Sequence, residues 1–332
     1  MDAFFDPIFL LAGFGIISLA ASRIGALFAR LGLPKITGYL FTGLVAGPFV
    51  LGLIPEEAPH HLLFVDEFSL AFIAFAAGSE LYLPELRGRL RSIGLVTVGL
   101  VLVTFTFGLV AVMLLADHIP FIRQLDTTGR LAVALLVATI MVARSPSSAI
   151  AIVNELRAKG PYTRMALGVT VIMDVVVIAL FAVNSSAADA ILANVSISAT
   201  FVLLLLLELS IAVAAGYGLY KLLAWSLSLN IDHRLKIVLL LVAGYAVFVL
   251  SGELRAYTHA TLPFEVLVEP LLVCLIASFM LNNYSPYRLE MAEILHQTGP
   301  IIYILFFTLT GASLELGLLL QTWPIALALF LV

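Results

Sequence analysis

Ten apolar runs follow one another along the chain, near residues 8–29, 36–54, 62–83, 92–115, 129–155, 162–183, 198–225, 235–251, 263–281 and 298–318. A helix needs about 20 such residues to cross the hydrocarbon of a bilayer, and these runs are of that order. No single water-soluble core could cover so many apolar helices, so the sequence dictates an all-α, polytopic transmembrane bundle. Only 11% of the 332 residues are charged and the mean hydropathy is +1.13, where soluble domains carry about 25% charged residues. MDAFFDPIFLLAGF lacks the basic flank and the cleavage site of a signal peptide, so the first run is expected to remain as a helix. The single Cys274 excludes an internal disulfide and a cysteine metal cluster.

Orientation follows from Lys and Arg. One set of alternate loops holds Arg30 and Lys35; Arg87, Arg89 and Arg91; Arg157, Lys159 and Arg164; Lys221, Arg234 and Lys236; and Arg288, which is twelve of the 17 basic residues. The other set holds Arg123, Arg130 and Arg255. The positive-inside rule therefore predicts a multi-pass protein of the cell membrane with its N-terminus outside. A further apolar segment opens at Trp323 and reaches only Val332, too short a stretch to cross. The expectation is a chain truncated at its C-terminus, with partner helices outside it.

A faint internal repeat is visible, since the third run ends AFAAGSELYL and the tenth ends TLTGASLEL. Elements seven runs apart enter the membrane from opposite sides, which is the arrangement of inverted-repeat transporters. This predicts a first repeat over about 8–183, a linking helix over about 198–225 and a partial second repeat over about 235–332.

Several polar residues lie where lipid would otherwise exclude them. Asp174 stands inside GVTVIMDVVVIAL; an intramembrane acid is costly and is read first as functional, the bland alternative being a neutral, hydrogen-bonded structural aspartate. Thr170, one turn earlier, offers a hydroxyl on the same face. In ATIMVARSPSSAIAIV, Pro146 removes a backbone donor and disfavours helical geometry at Ser145. Together with Ser147 and Ser148 it predicts a helix broken at membrane depth, tolerated only against protein or water; the alternative is a simple proline kink. Arg144 in the same stretch needs an acid, for which Asp174 is the nearest by depth, or must snorkel to an interface. Glu208, Glu265 and Glu269 are further intramembrane acids. His60 and His61 beside Glu56 and Glu57 read as a solvated loop rather than a metal site. Gly38, Gly43 and Gly47 read as helix-packing positions, and Asn184 and Asn194 open formal glycosylation sequons.

LGLPKITGYLFTGLVAGPFVLGLI at 31–54, GSEL at 78 and LFFTLTGASLEL at 305 resemble signatures of the monovalent cation:proton antiporters, closest to their Kef-like branch. SPSSAIAIVNELRAKG followed by GVTVIMDVVVIAL is similar to that family's crossing helix and ion-binding helix. The resemblance runs along essentially the whole chain. It implies a thirteen-helix inverted-repeat fold, a homodimer and elevator-like alternating access. By position it assigns Asp174 as the acid that binds either a proton or a cation. The position before it, an acid or amide in relatives, is Met173 here, and Arg144 and Ser145 replace Thr and Asp of the sodium-exchanging relatives.

The reading that follows is exchange of K+ or Na+ for H+, with one carboxylate and no cofactor in this chain. Met173 offers no second protonation site, so the exchange is expected to be electroneutral. Membrane lipid is the expected surround, a cytoplasmic regulatory domain or subunit outside this chain a possible partner, and nucleic acid no partner. A ligand-gated potassium efflux channel built from the same helices is the alternative. An intramembrane protease is disfavoured, because no paired aspartates or serine–histidine dyad lie at mid-depth.

Overall fold

The computed structural model describes residues 7–56, 61–144, 146–193, 199–261 and 268–331. They form α1 (Pro7–Arg30), α2 (Lys35–Ala46), α3 (Leu63–Glu80), α4 (Leu90–Leu115), α5 (Thr127–Val142), α6 (Pro146–Leu156), α7 (Pro161–Ala193), α8 (Ala199–Ser228), α9 (His233–Thr261), α10 (Pro270–Tyr284), α11 (Arg288–Ala312) and α12 (Leu316–Phe330). No strand occurs among the described residues. Five helical stretches are long and apolar enough to cross a membrane, within α1, α4, α8, α9 and α11.

The chain divides into two compact units. One comprises the residues up to Tyr82, Ser147–Gly160 and Ala212–Gly317; the other comprises Leu83–Pro146, Pro161–Ile211 and the residues from Leu318. These units interleave along the sequence.

In the first unit α3 is the central rod. Its run Phe72–Gly78 is buried at every position, as expected for a helix that is apolar all round, and it packs on α9, α10 and α11, while α2 packs on α1 and α11. Small residues let these backbones approach, the usual device where lipid removes the hydrophobic drive between helices. A Cβ added at Gly38 would lie 2.6 Å from the Cα of Gly25 on α1.

The α2/α11 and α3/α10 crossings correspond. Gly311 on α11 meets the Leu40 carbonyl on α2, and Gly78 on α3 meets the Leu275 carbonyl on α10. One turn away, Gly43 abuts the Thr308 carbonyl, while the Ser278 hydroxyl donates to the Phe75 carbonyl. Exchanging α2 with α10 and α3 with α11 maps one crossing onto the other, and it superposes the repeated GSEL and GASLEL motifs at Gly78 and Gly311. The faint sequence repeat thus has a packing counterpart.

In the second unit α4, α5 and α7 pack on one another. Val112, Ala116, Ile119, Ile122 and Ala134 form its buried cluster at one end. Asp126 caps α5, accepting from the Gly129 amide at 3.0 Å and from the Thr128 hydroxyl. These donors hold its carboxyl below the usual carboxylate range.

Several boundaries differ from the hydropathy reading: α7 runs on to Ala193 rather than 183 and α9 to Thr261 rather than 251, and three others have a visible local reason. The second run was expected to be helical to 54, but α2 ends at Ala46, because Gly47 is extended (ψ 177°) ahead of Pro48. The turns that follow keep their backbone paired, with the Leu51, Gly52 and Ile54 amides bonded to the Val45, Gly47 and Ala46 carbonyls. Gly52 supplies a positive φ of 63° there. The tenth run was expected at 298–318, but α11 starts at Arg288. Its polar first turns still bury Met291, Ile294 and Leu295 at helical spacing, a pattern that mean hydropathy does not register. Finally, α12 opens at Leu316 rather than at Trp323 and carries Pro324 inside it, a proline being tolerated within a membrane helix.

Candidate ion-binding site

The fifth apolar run is broken where its proline predicts. α5 stops at Val142, Ala143 turns away with ψ 137°, and α6 restarts at Pro146. Proline suits the first position of a helix, where its missing N–H costs nothing. The break leaves last-turn carbonyls on α5 and first-turn amides on α6 with no partner inside their own helices, and these ends carry partial charges of opposite sign. Ser145 lies outside the described residues, as do the side chains of Pro146 and Ser147. Ser148 is half-buried and already engaged by a partner.

α7 carries Asp174 within its helical length; its side chain lies outside those described. Its neighbours are defined. Thr170 is half-buried and donates its hydroxyl to the Ala166 carbonyl at 2.9 Å, which leaves its oxygen lone pairs as acceptors. Met173 is fully buried. Arg144 is exposed and forms no ion pair with any described acid. α7 is fixed to α5 in the same unit by a buried hydrogen bond, Asn184 Nδ2 donating to Thr139 Oγ1 at 2.8 Å. That contact leaves the sequon at Asn184 a formal one: the amide is 7% exposed and occupied. Asn194 lies outside the described residues.

The other intramembrane acids diverge. Glu208 is half-buried on α8 and engaged by a partner. Glu269 occupies the N-cap of α10 without a side-chain capping bond. Glu265 lies outside the described residues, as do Glu57 and His60; among those described, no cluster of His, Cys, Asp and Glu could hold a metal. Sequence reasoning missed Glu155. This residue near the end of α6 accepts from the Lys35 backbone amide through both carboxylate oxygens, at 3.0 and 2.8 Å, and so closes the N-terminus of α2 from 120 residues away. The one sequence signal was a carboxylate placed inside a basic stretch, NELRAK.

The fold matches the solved structure of the sodium proton antiporter MjNhaP1 from Methanocaldococcus jannaschii with a TM-score of 0.67 over 97% of this chain and 74% of that one, at 15% identity. Curated relatives include a glutathione-regulated potassium-efflux system protein of Haemophilus influenzae, 33% identical over 34% of this chain. The probable Na+/H+ antiporter GerT of Bacillus cereus is 33% identical over 30%, and the Na+/H+ antiporter NhaS5 of Synechocystis 35% identical over 26%. The matched stretches span 19%, 26% and 13% of those relatives' own lengths. The model of the transmembrane sodium/hydrogen exchanger family matches residues 16–332. With this match over nearly all of its length, and with a fifth span broken before an acid-bearing sixth, the chain belongs to the sodium/hydrogen exchanger family.

Proposed function

We propose that the protein is a secondary transporter, not an enzyme, that exchanges a monovalent cation, K+ or Na+, for protons, with Asp174 holding either one. The observation that carries this reading is the broken span: α5 ends and α6 begins at Ala143–Pro146, and α5 packs in the same unit as the helix bearing Asp174. Helix ends at a break supply carbonyls for a cation, and Thr170 adds an acceptor one turn from the acid. Proton and cation then compete for one negative charge, so a loaded carrier is neutral whichever it holds. Met173, buried and without a titrating group, adds no second proton. Arg144 supplies a positive charge for the emptied carboxylate.

The same reading places the protein in the cell membrane with its N-terminus outside, as a homodimer surrounded by lipid. A cytoplasmic regulatory domain or subunit is a partner on the analogy of the potassium-efflux relative. That relative also favours the second reading, a ligand-gated potassium efflux pathway through the same helices.

The test is proton movement into proteoliposomes of the full-length protein under K+ or Na+ gradients, followed with an internal pH dye. Asp174→Asn is expected to abolish cation-driven proton movement while the protein stays folded. Exchange at the wild-type rate in that variant removes Asp174 from the mechanism, and flux far above carrier turnover favours the channel.

A further inference from the structure

The first unit contains a cavity of about 240 Å3 beside the N-terminus of α2, walled by Lys35, Tyr39, Glu155, Arg157, His296 and Tyr303 among others. Three of its side chains are basic and one is acidic. The acid is held at one wall, where both Glu155 oxygens face the Lys35 amide at the α2 N-terminus, and its single charge offsets one of the basic groups. Lys35, Arg157 and His296 thus line a space in which Glu155 is the one carboxylate among the described residues.

Arg157 makes the case for a ligand. It lies just past the end of α6 with φ at 48°, and the Ala158 amide bonds back to the Val153 carbonyl at 3.0 Å. That is the helix-ending motif whose left-handed position usually belongs to glycine, since a side chain there is strained. A strained backbone position filled by arginine, with the residue lining a cavity, is the pattern of a side chain kept for what it binds. Gly299 and Pro300 of α11 also line the cavity and add little bulk to it.

We propose that this cavity is an oxyanion site that takes a phosphate group, bound by the Arg157 fork, the Lys35 ammonium and the His296 imidazole. Arginine matches two oxygens of a phosphate at once, and donors arriving from three elements suit a tetrahedral anion. The basic residues of this stretch belong to the loops expected on the cytoplasmic side, where such a group comes either from an anionic phospholipid headgroup or from a free phosphate. The inference stands apart from the transport reading, because none of its residues belongs to the Asp174 site.

The test is the thermal unfolding midpoint of the intact purified protein, titrated with inorganic phosphate against chloride at matched ionic strength. A parallel arm uses phosphatidylcholine vesicles with and without phosphatidylglycerol. The expected result is a saturable rise in at least one arm; a rise with phosphate assigns a soluble anion, and a rise with phosphatidylglycerol assigns a headgroup. Arg157→Gly fits the backbone better than the native residue, so its ligand-free midpoint should equal or exceed that of the wild type. It should nevertheless need about tenfold more ligand or beyond, the loss expected when one charge-assisted hydrogen bond disappears. Lys35→Gln and His296→Gln should weaken binding in the same direction. No rise in either arm, or equal rises in the wild type and Arg157→Gly, would overturn the proposal.

Discussion

Replacing Gly311 by alanine tests the crossings that hold the first unit together. The new Cβ would sit 2.9 Å from the Leu40 carbonyl carbon and 3.0 Å from the Leu40 Cα, where relaxed carbon pairs stand about 3.5–4.0 Å apart. The Leu40 carbonyl oxygen lies closer still; the obstacle is backbone, so no side-chain rotation relieves it, and α2 and α11 must separate by at least roughly 0.5–1 Å. A gap of that size forfeits about a quarter to a half of the attraction at each contact along the crossing, and overpacking of this kind costs about 1–3 kcal/mol. Alanine returns up to about 1 kcal/mol through its better helix propensity, which leaves a net loss of roughly 1–2 kcal/mol. Because the α3/α10 crossing corresponds to this one, Gly78→Ala should lose a similar amount; its Cβ meets the Phe279 amide nitrogen at 2.9 Å. Gly13→Ala and Gly99→Ala have nothing within 4 Å of the added carbon and should be neutral or gain slightly. Unfolding of the four purified variants in detergent would measure the set. A Gly311→Ala midpoint at or above the wild-type value would refute the close approach and the paired crossings with it.

Three further outcomes are expected. Asp126 has a carboxyl held below its ordinary value of 3.8, so the stability it lends α5 is present above that value and fades as pH falls through the lowered one. Asp126→Ala should therefore be less stable than the wild type at neutral pH and converge with it in acid, while Asp126→Asn, which keeps a capping oxygen, should lose less. Exchange through a single carboxylate should not respond to an imposed membrane potential, which contributes about 2.3 kcal/mol per net charge per 100 mV. A current at the reversal potential of electroneutral exchange would demand a second acid. Arg144 follows Thr139 by five residues and Asp174 precedes Asn184 by ten. If α5 and α7 run antiparallel, helical rise to Val142 and the two residues beyond it leave Arg144 and Asp174 about 4–8 Å apart along the axis, within reach of a long side chain. Arg144→Ala and Asp174→Ala should then be non-additive by about 1–3 kcal/mol in a double-mutant stability cycle, and additive losses would leave the arginine to the interface.

By itself the sequence determined the class of molecule, the helix break and the family resemblance, because each rests on local properties. Hydropathy is a sum over neighbouring side chains, Pro146 acts on its own backbone and on Ser145, and the short glycine signatures are contiguous. The same locality explains the errors: α2 is shortened by a single Gly47–Pro48 step within an apolar run, and α11 begins in polar turns whose buried face is visible only in the packed unit. Tertiary structure alone decided that Glu155 closes α2, that Asn184 is spent on Thr139, and that Arg157 faces a cavity with Lys35 and His296. It also decided that two glycine motifs more than 200 residues apart occupy equivalent crossings. Capping, close backbone approach and the pooling of charge depend on atoms brought together by packing, and no window of neighbouring residues contains both partners.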